Sequence, residues 1–193
     1  MPIRKLVTAD AASIVSCVNE CYAYLRNKNV LGIGVGDWSV THLQRLNAAG
    51  FSAYGYVNAQ GRVDAVAVYR IDTFNHPIAG FPNTVGTQKW IRIISLAFRP
   101  SAVPDTPTSH ATYFWRALKL LIPDGVNNSG AVGTVFEFDS RNTDLHNLMA
   151  NNFPSTANFE LSEELTPGMG AFERCWLPVQ PGLPLFTAVT ANV

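Results

Sequence analysis

The chain has 193 residues, 47% of them hydrophobic and 15% charged, against roughly a quarter charged in an ordinary soluble domain. This is length for one domain with a sizeable core, carrying an unusually neutral surface. Fourteen basic and fourteen acidic residues cancel without any run of like charge, which excludes the electrostatic footprint of a nucleic-acid or membrane-surface partner.

The three cysteines, Cys17, Cys21 and Cys175, are an odd number and form no disulfide framework, so a reducing compartment is expected. Cys17 and Cys21 stand one helical turn apart without a CxxC or a nearby His, the pattern of helix packing and not of a metal site. No apolar stretch approaches the roughly 20 residues that span a bilayer, and no signal peptide opens the sequence. The expectation is a soluble protein of the cytoplasm, or of a virus particle assembled there.

Ile3 to Val7 reads as a short strand. Thr8 or Asp10 then caps a helix whose apolar positions run from Ala12 through Ile14, Val18 and Cys21 to Leu25. The glycines of Leu31-Gly32-Ile33-Gly34-Val35-Gly36 follow a helix instead of leaving a strand, so they read as a connection and not as a phosphate loop. Asp37 or Ser39 caps a second helix with Val40, Leu43 and Leu46 inward and Gly50 as its stop. Phe51–Val57 and Arg62–Phe74 flank Asn58-Ala59-Gln60-Gly61, the signature of an antiparallel hairpin. The uncharged, Pro- and Gly-containing stretch 75–88 reads as an extended loop.

Trp90 to Phe98 is β-branched and aromatic with little polar character, which suits a strand buried on both faces, and Pro100 ends it. After Pro104, Asp105 and Pro107, Thr108 or Ser109 caps a helix that runs to Pro123. A strand feeding a helix in this way favours anions at the helix start. A strand over Val132–Phe138 follows, then a short helix begun by Asp139-Ser140-Arg141-Asn142-Thr143 and carrying Leu145, Leu148 and Met149. Phe159–Leu161 and Ala171–Val179 supply two last strands, so the sheet ends antiparallel. From Cys175 to Val193 there is no charge, and residues 180–193 read as an extended apolar arm that needs a surface to lie on. The domain is therefore placed at 1–179 and the arm at 180–193.

The order β-α-α-β-β-β-α-β-α-β-β resembles the GNAT (Gcn5-related N-acetyltransferase) fold: an α+β (α/β) domain with a mixed, mostly antiparallel central sheet flanked by helices. Ile3-Arg4-Lys5-Leu6 with Thr8-Ala9-Asp10-Ala11 resembles the family's first strand and helix start. Ser95-Leu96-Ala97-Phe98-Arg99-Pro100 resembles the end of its central strand. Asn142 with Asn151-Asn152-Phe153 is similar to its Asn-containing helix. The resemblance implies acetyl-CoA as cofactor, with pantetheine between splayed fourth and fifth strands along Leu96, Ala97 and Phe98. It also implies a diphosphate at the following helix start and a contribution from Asn142.

The family's glycine loop is missing, and Asp105 has the wrong sign for a diphosphate. Thr106, Thr108, Ser109 and His110 are the residues left to donate there, or simply to cap the helix. Met149 stands where many members carry a proton-donating Tyr. Glu137 is the carboxylate offered as a base on the fifth strand, and His110 is the one histidine at a plausible catalytic place; Glu137 equally reads as a partner of Arg92 or Arg141. Two functions follow. One is a GNAT-shaped part that has lost its chemistry and serves interaction or assembly, for example in a virus particle, with a protein partner or a second copy held through the arm. The other is an active acetyl-CoA-dependent N-acetyltransferase for an amine of a small molecule or protein. No metal is expected.

Overall fold

The computed structural model describes residues 3–31, 35–74, 88–102, 130–152, 158–161 and 171–178. The loop expected over 75–88 lies almost wholly outside these residues, as do the helix expected from Thr108 or Ser109 and the arm at 180–193. The described strands are β1 (Ile3–Lys5), β2 (Ser52–Val57), β3 (Val63–Phe74), β4 (Gln88–Phe98), β5 (Gly133–Asp139), β6 (Asn158–Leu161) and β7 (Phe172–Pro178). The helices are α1 (Ala11–Asn27), α2 (Val40–Ala48) and α3 (Thr143–Asn152), with a 3₁₀ turn over Thr8–Asp10. The strands form one seven-stranded sheet in the order β1-β2-β3-β4-β5-β7-β6. Among the described pairs β4 and β5 run parallel and every other pair is antiparallel, so the expected mixed, mostly antiparallel sheet is observed.

The local chemistry explains most element ends. Ser39 caps α2, its Oγ accepting the His42 N–H at 3.0 Å. At the β2–β3 turn Asn58 Oδ1 accepts the N–H groups of Gln60 and Arg62, both at 3.0 Å, and Gly61 takes the positive φ of 79° that closes it. Asn142 caps α3, its Oδ1 accepting the Leu145 N–H at 3.2 Å.

Two expectations need correction. Asp10 makes no side-chain bond into α1; its carboxylate reaches back to the Val7 N–H at 2.8 Å and to both terminal nitrogens of Arg4, each at 2.8 Å. A fork-on-fork ion pair outcompetes a single cap bond, and it fastens β1 to the helix start. On α2 Leu43 and Leu46 pack against the core as expected, but Val40, the first residue of the helix, is 38% exposed.

The sheet is covered on both faces. On one, Ile14, Cys17, Val18 and Cys21 of α1 pack on Val66, Val68 and Ala97. On the other, Met149 of α3, with Leu145 and Leu148 beside it, packs on Ala67, Tyr69, Ile91, Ile93 and Phe136. Strand β4 thus contributes to both cores, as its unbroken apolar run predicts. Fully burying a side chain such as Ile91 contributes about 1.5–3 kcal/mol. No described helix is long and apolar enough to cross a membrane.

Candidate functional site

The two sides of β4 differ. Toward β3 it has ten residue partners, from Gln88 opposite Phe74 to Phe98 opposite Ala65, broken once by a bulge at Ile94 between the pairs Tyr69–Ile93 and Val68–Ser95. Toward β5 it has three, Ile91–Thr134, Arg92–Val135 and Ile93–Phe136, and there the pairing stops. The two strands part at the bulge although both continue, β4 to Phe98 and β5 to Asp139.

Alternation along β4 decides which main-chain groups this exposes. The Arg99 N–H donates to Asp64 O at 2.7 Å, so Arg99, and with it Ala97 and Ser95, turns its main-chain groups toward β3. Leu96 and Phe98 therefore turn their main-chain groups away from β3, and the Phe98 N–H is taken by the Cys21 thiol of α1. The Ala97 side chain, 3% exposed, is core and not cleft. Of the three strand residues expected along a pantetheine, Leu96 turns its main-chain groups to the gap, Phe98 gives its N–H to Cys21 and Ala97 packs beneath.

The next residues behave differently from a strand end that offers free amides. The Arg99 N–H is taken by Asp64 O, Pro100 has none, the Ser101 N–H donates to Glu20 Oε1 at 3.2 Å, and the Ala102 N–H donates to Arg99 O at 2.9 Å. Residues 99–102 thus have no amide left for an anion, so any anion site at this junction begins later. Thr108, Ser109 and His110, expected to supply it, lie outside the described residues.

Two ionic clusters flank the parting. One surrounds Arg99, whose side chain is 6% exposed: it donates to Glu20 Oε2 at 2.6 Å, to Ser16 Oγ at 3.1 Å and to Val63 O at 3.3 Å, with Asp64 at 3.6 Å. Burial raises the Glu20 pKa, but the bonds from Ser101 and Arg99 outweigh it and hold the carboxyl below its ordinary value. The other is a ladder across β3, β4, β5 and β7. Arg70 grips Asp72, Arg92 reaches Asp72 at 3.4 Å and Glu137 Oε2 at 2.7 and 2.9 Å, and Arg174 meets Glu137 Oε1 at 2.8 and 3.1 Å. Its arginines are about a third exposed, at 31% and 32%. Each Glu137 oxygen accepts two N–H bonds, which fills the about four acceptor directions a carboxylate has.

Met149 is fully buried in the α3-side core, and Asn142 acts as the α3 cap. Arg141, weighed as a partner for Glu137, grips Asp139 instead, at 2.8 and 2.9 Å. From α1, Tyr22 packs edge-on to Trp38 at 6.5 Å. Burial pushes the Tyr22 hydroxyl pKa up. Glu20 is absent from the sequence expectations. The available signal was polar: Ser13, Ser16 and Glu20 recur at helical spacing on a helix whose buried residues are apolar or cysteine. Among the described residues no group of three His, Cys, Asp or Glu side chains could hold a metal ion.

No protein-family model and no curated protein matches the sequence. Solved structures do match its fold. A spermidine N-acetyltransferase from Vibrio cholerae aligns over 92% of this chain and 95% of its own, at 13% identity and a TM-score of 0.56. A ribosomal-protein-alanine N-acetyltransferase from Brucella melitensis aligns over 93% and 100%, at 16% identity and a TM-score of 0.56. The NatC complex bound to Gag peptide and CoA aligns over 93% and 98%, at 12% identity and a TM-score of 0.57. At such identities the likeness is one of fold.

Proposed function

We propose, from the GNAT fold that this chain has in common with those N-acetyltransferases, that it binds a coenzyme A thioester and transfers the acyl group to an amine of a small molecule or protein. The observation that carries the reading is the parting of β4 from β5 after Ile93 and Phe136, past which β4 runs on to Phe98 and β5 to Asp139 without pairing with each other. An extended chain of amides fits the gap between two parted strands, so the residues present suit a pantetheine arm. When bound, acetyl-CoA supplies an activated acyl group, the N–C bond forming as the C–S bond breaks while the amine loses one proton and the sulfur gains one.

The chain's own residues then hold and orient. Leu96 holds the arm, and Ala97 keeps the strand seated on α1. Glu137 is assigned to holding Arg92 and Arg174 in place, because accepting a proton would require it to release a guanidinium. Glu137→Gln should accordingly keep activity within about tenfold, where loss of a general base costs about 10²–10⁴-fold. The test of the reading is calorimetry with acetyl-CoA together with acetyl transfer to an amine panel; a folded chain that takes up no coenzyme A overturns it.

A second reading has its own observation. Met149 is buried where the fold's relatives often place a proton-donating Tyr, and Glu137 is saturated, which supports a GNAT-shaped part that has lost chemistry and serves assembly. Coenzyme A binding without turnover, together with loss of a protein partner or of the oligomeric state on deleting residues 180–193, is the result that favours it.

A further inference from the structure

Ser95 is 6% exposed, and its Oγ is buried without a hydrogen-bond partner. A hydroxyl stripped of water and given nothing in exchange is a net cost to the fold, and folded proteins keep few of them. Its place is specific. Ser95 follows the bulged Ile94 and is the second residue of β4 beyond Ile93–Phe136, the last pair before β4 and β5 fork. It lies opposite Val68, which packs on α1 as Ala97 does, so the Ser95 side chain is on the α1 face of the sheet.

The two faces of the fork are unequal. On the α3 face Ile93, Phe136 and Met149 are buried together in one core. On the α1 face the alternation that carries Val66 and Val68 continues to Arg70 and Asp72, and Arg92 lies opposite Arg70, so the ionic ladder shares its face with Ser95. That ladder is partly open to solvent. The open side of the fork is therefore the one on which the orphan hydroxyl stands.

Acyl transfer to an amine requires one proton to leave the nitrogen and one to reach the sulfur. Neither obvious group can serve, because both Glu137 oxygens are filled by arginine N–H groups and Met149 has no proton to give. A hydroxyl both donates and accepts. Nitrogen and sulfur are bonded to the same carbon while one bond replaces the other, which brings both within reach of a single oxygen. We infer that Ser95 is a catalytic residue of the proposed reaction, its oxygen taking the amine proton as its own proton passes to the sulfur. The N–C bond forms on the nitrogen lone pair, the C–S pair leaves on sulfur and the hydroxyl is restored, so the exchange balances without a separate acid and base. This rests on the coenzyme A reading and adds to it the group that moves the proton.

The experiment compares the native chain with Ser95→Ala and Thr134→Val by acetyl transfer to an amine panel, by acetyl-CoA calorimetry and by urea unfolding. Thr134 is the control: its Oγ1 is also buried without a partner, but it lies opposite Leu177 in the α3-side core, before the fork. Ser95→Ala should lower kcat about 10²-fold or more, the scale of acid–base catalysis, and keep the acetyl-CoA Kd within about threefold. Its urea midpoint should stay level or rise, because the change removes a buried group that has no partner. Thr134→Val should show the same midpoint behaviour with kcat within about twofold of native. Unchanged turnover in Ser95→Ala, an equal loss in both variants, or a lowered midpoint in Ser95→Ala overturns the role of Ser95 and leaves the proposed function standing. A native chain that binds acetyl-CoA but acetylates no amine overturns that role in favour of the assembly reading. One that binds no acetyl-CoA overturns the role and the coenzyme A reading together.

Discussion

The two ionic clusters beside β4 use the same chemistry and differ in burial. Around Arg99 the guanidinium and Asp64 are 6% and 7% exposed; in the ladder Arg92 and Arg174 are 31% and 32% exposed. A buried charge cannot exchange its partner for water, so losing one partner leaves a costly orphan, whereas a half-open charge is rehydrated. The difference teaches where each cluster matters: the first fastens α1 and β3 to the end of β4, and the second orders a polar face that can rearrange.

The sharpest way to break that contrast is Arg99→Met. It keeps much of the side chain's bulk and takes the cation from Glu20, while Asp64 keeps Arg62 at 2.8 Å and Asn58 at 2.9 Å, so a loss of about 1–3 kcal/mol is expected, the cost of a charged group that loses its partner. Urea unfolding should show a loss of that order with an unchanged slope, and a loss under about 1 kcal/mol would mean that the cluster is effectively solvated.

On the ladder the corresponding change is Glu137→Gln, for which about 1 kcal/mol or less is expected at low salt, the range of solvent-screened pairs. Salt sharpens the distinction. Raising the ionic strength to about 1 M shortens the screening length to about 3 Å, so the Glu137→Gln difference should shrink toward zero while the Arg99→Met difference persists.

Elements governed by local periodicity were legible in the sequence. The alternation of Phe51–Val57 and Arg62–Phe74 around Asn58-Ala59-Gln60-Gly61, and the cap at Ser39, depend on neighbours a few residues away, and the structure has them. The apolar run of β4 likewise announced burial on both faces. What was not legible depends on pairing between distant strands. Nothing near Arg92 in sequence says that Asp72 and Glu137 will lie beside it, because that follows from the β3–β4 and β4–β5 register. The bulge at Ile94 is equally silent, since an inserted residue in an apolar run looks like any other. Asp10 shows the converse failure: its sequence position matched a helix cap, and a bidentate Arg4 claimed it instead.

Acidity gives the smallest and most selective comparison, because each cluster holds one carboxyl with a depressed pKa. For Asp72 burial acts upward, and the bonds and charges of Arg70 and Arg92 outweigh it, leaving the pKa below the ordinary 3.8. For Glu20 burial likewise acts upward, and Ser101 and Arg99 carry it below the ordinary 4.5. A depressed folded pKa means that the unfolded chain binds the proton more readily. Each carboxyl therefore contributes stability that is complete above its unfolded value and disappears as pH falls through its folded one. Stability should decline on acidification below about pH 4.5, the ordinary Glu value. Glu20→Gln should flatten the upper part of that decline, and Asp72→Asn the part that begins near 3.8. Added salt should flatten the Asp72 contribution more than that of Glu20, because the arginines that hold Asp72 are 31% exposed and Arg99 is 6% exposed. Equal salt sensitivity of the two limbs would erase the distinction between the clusters.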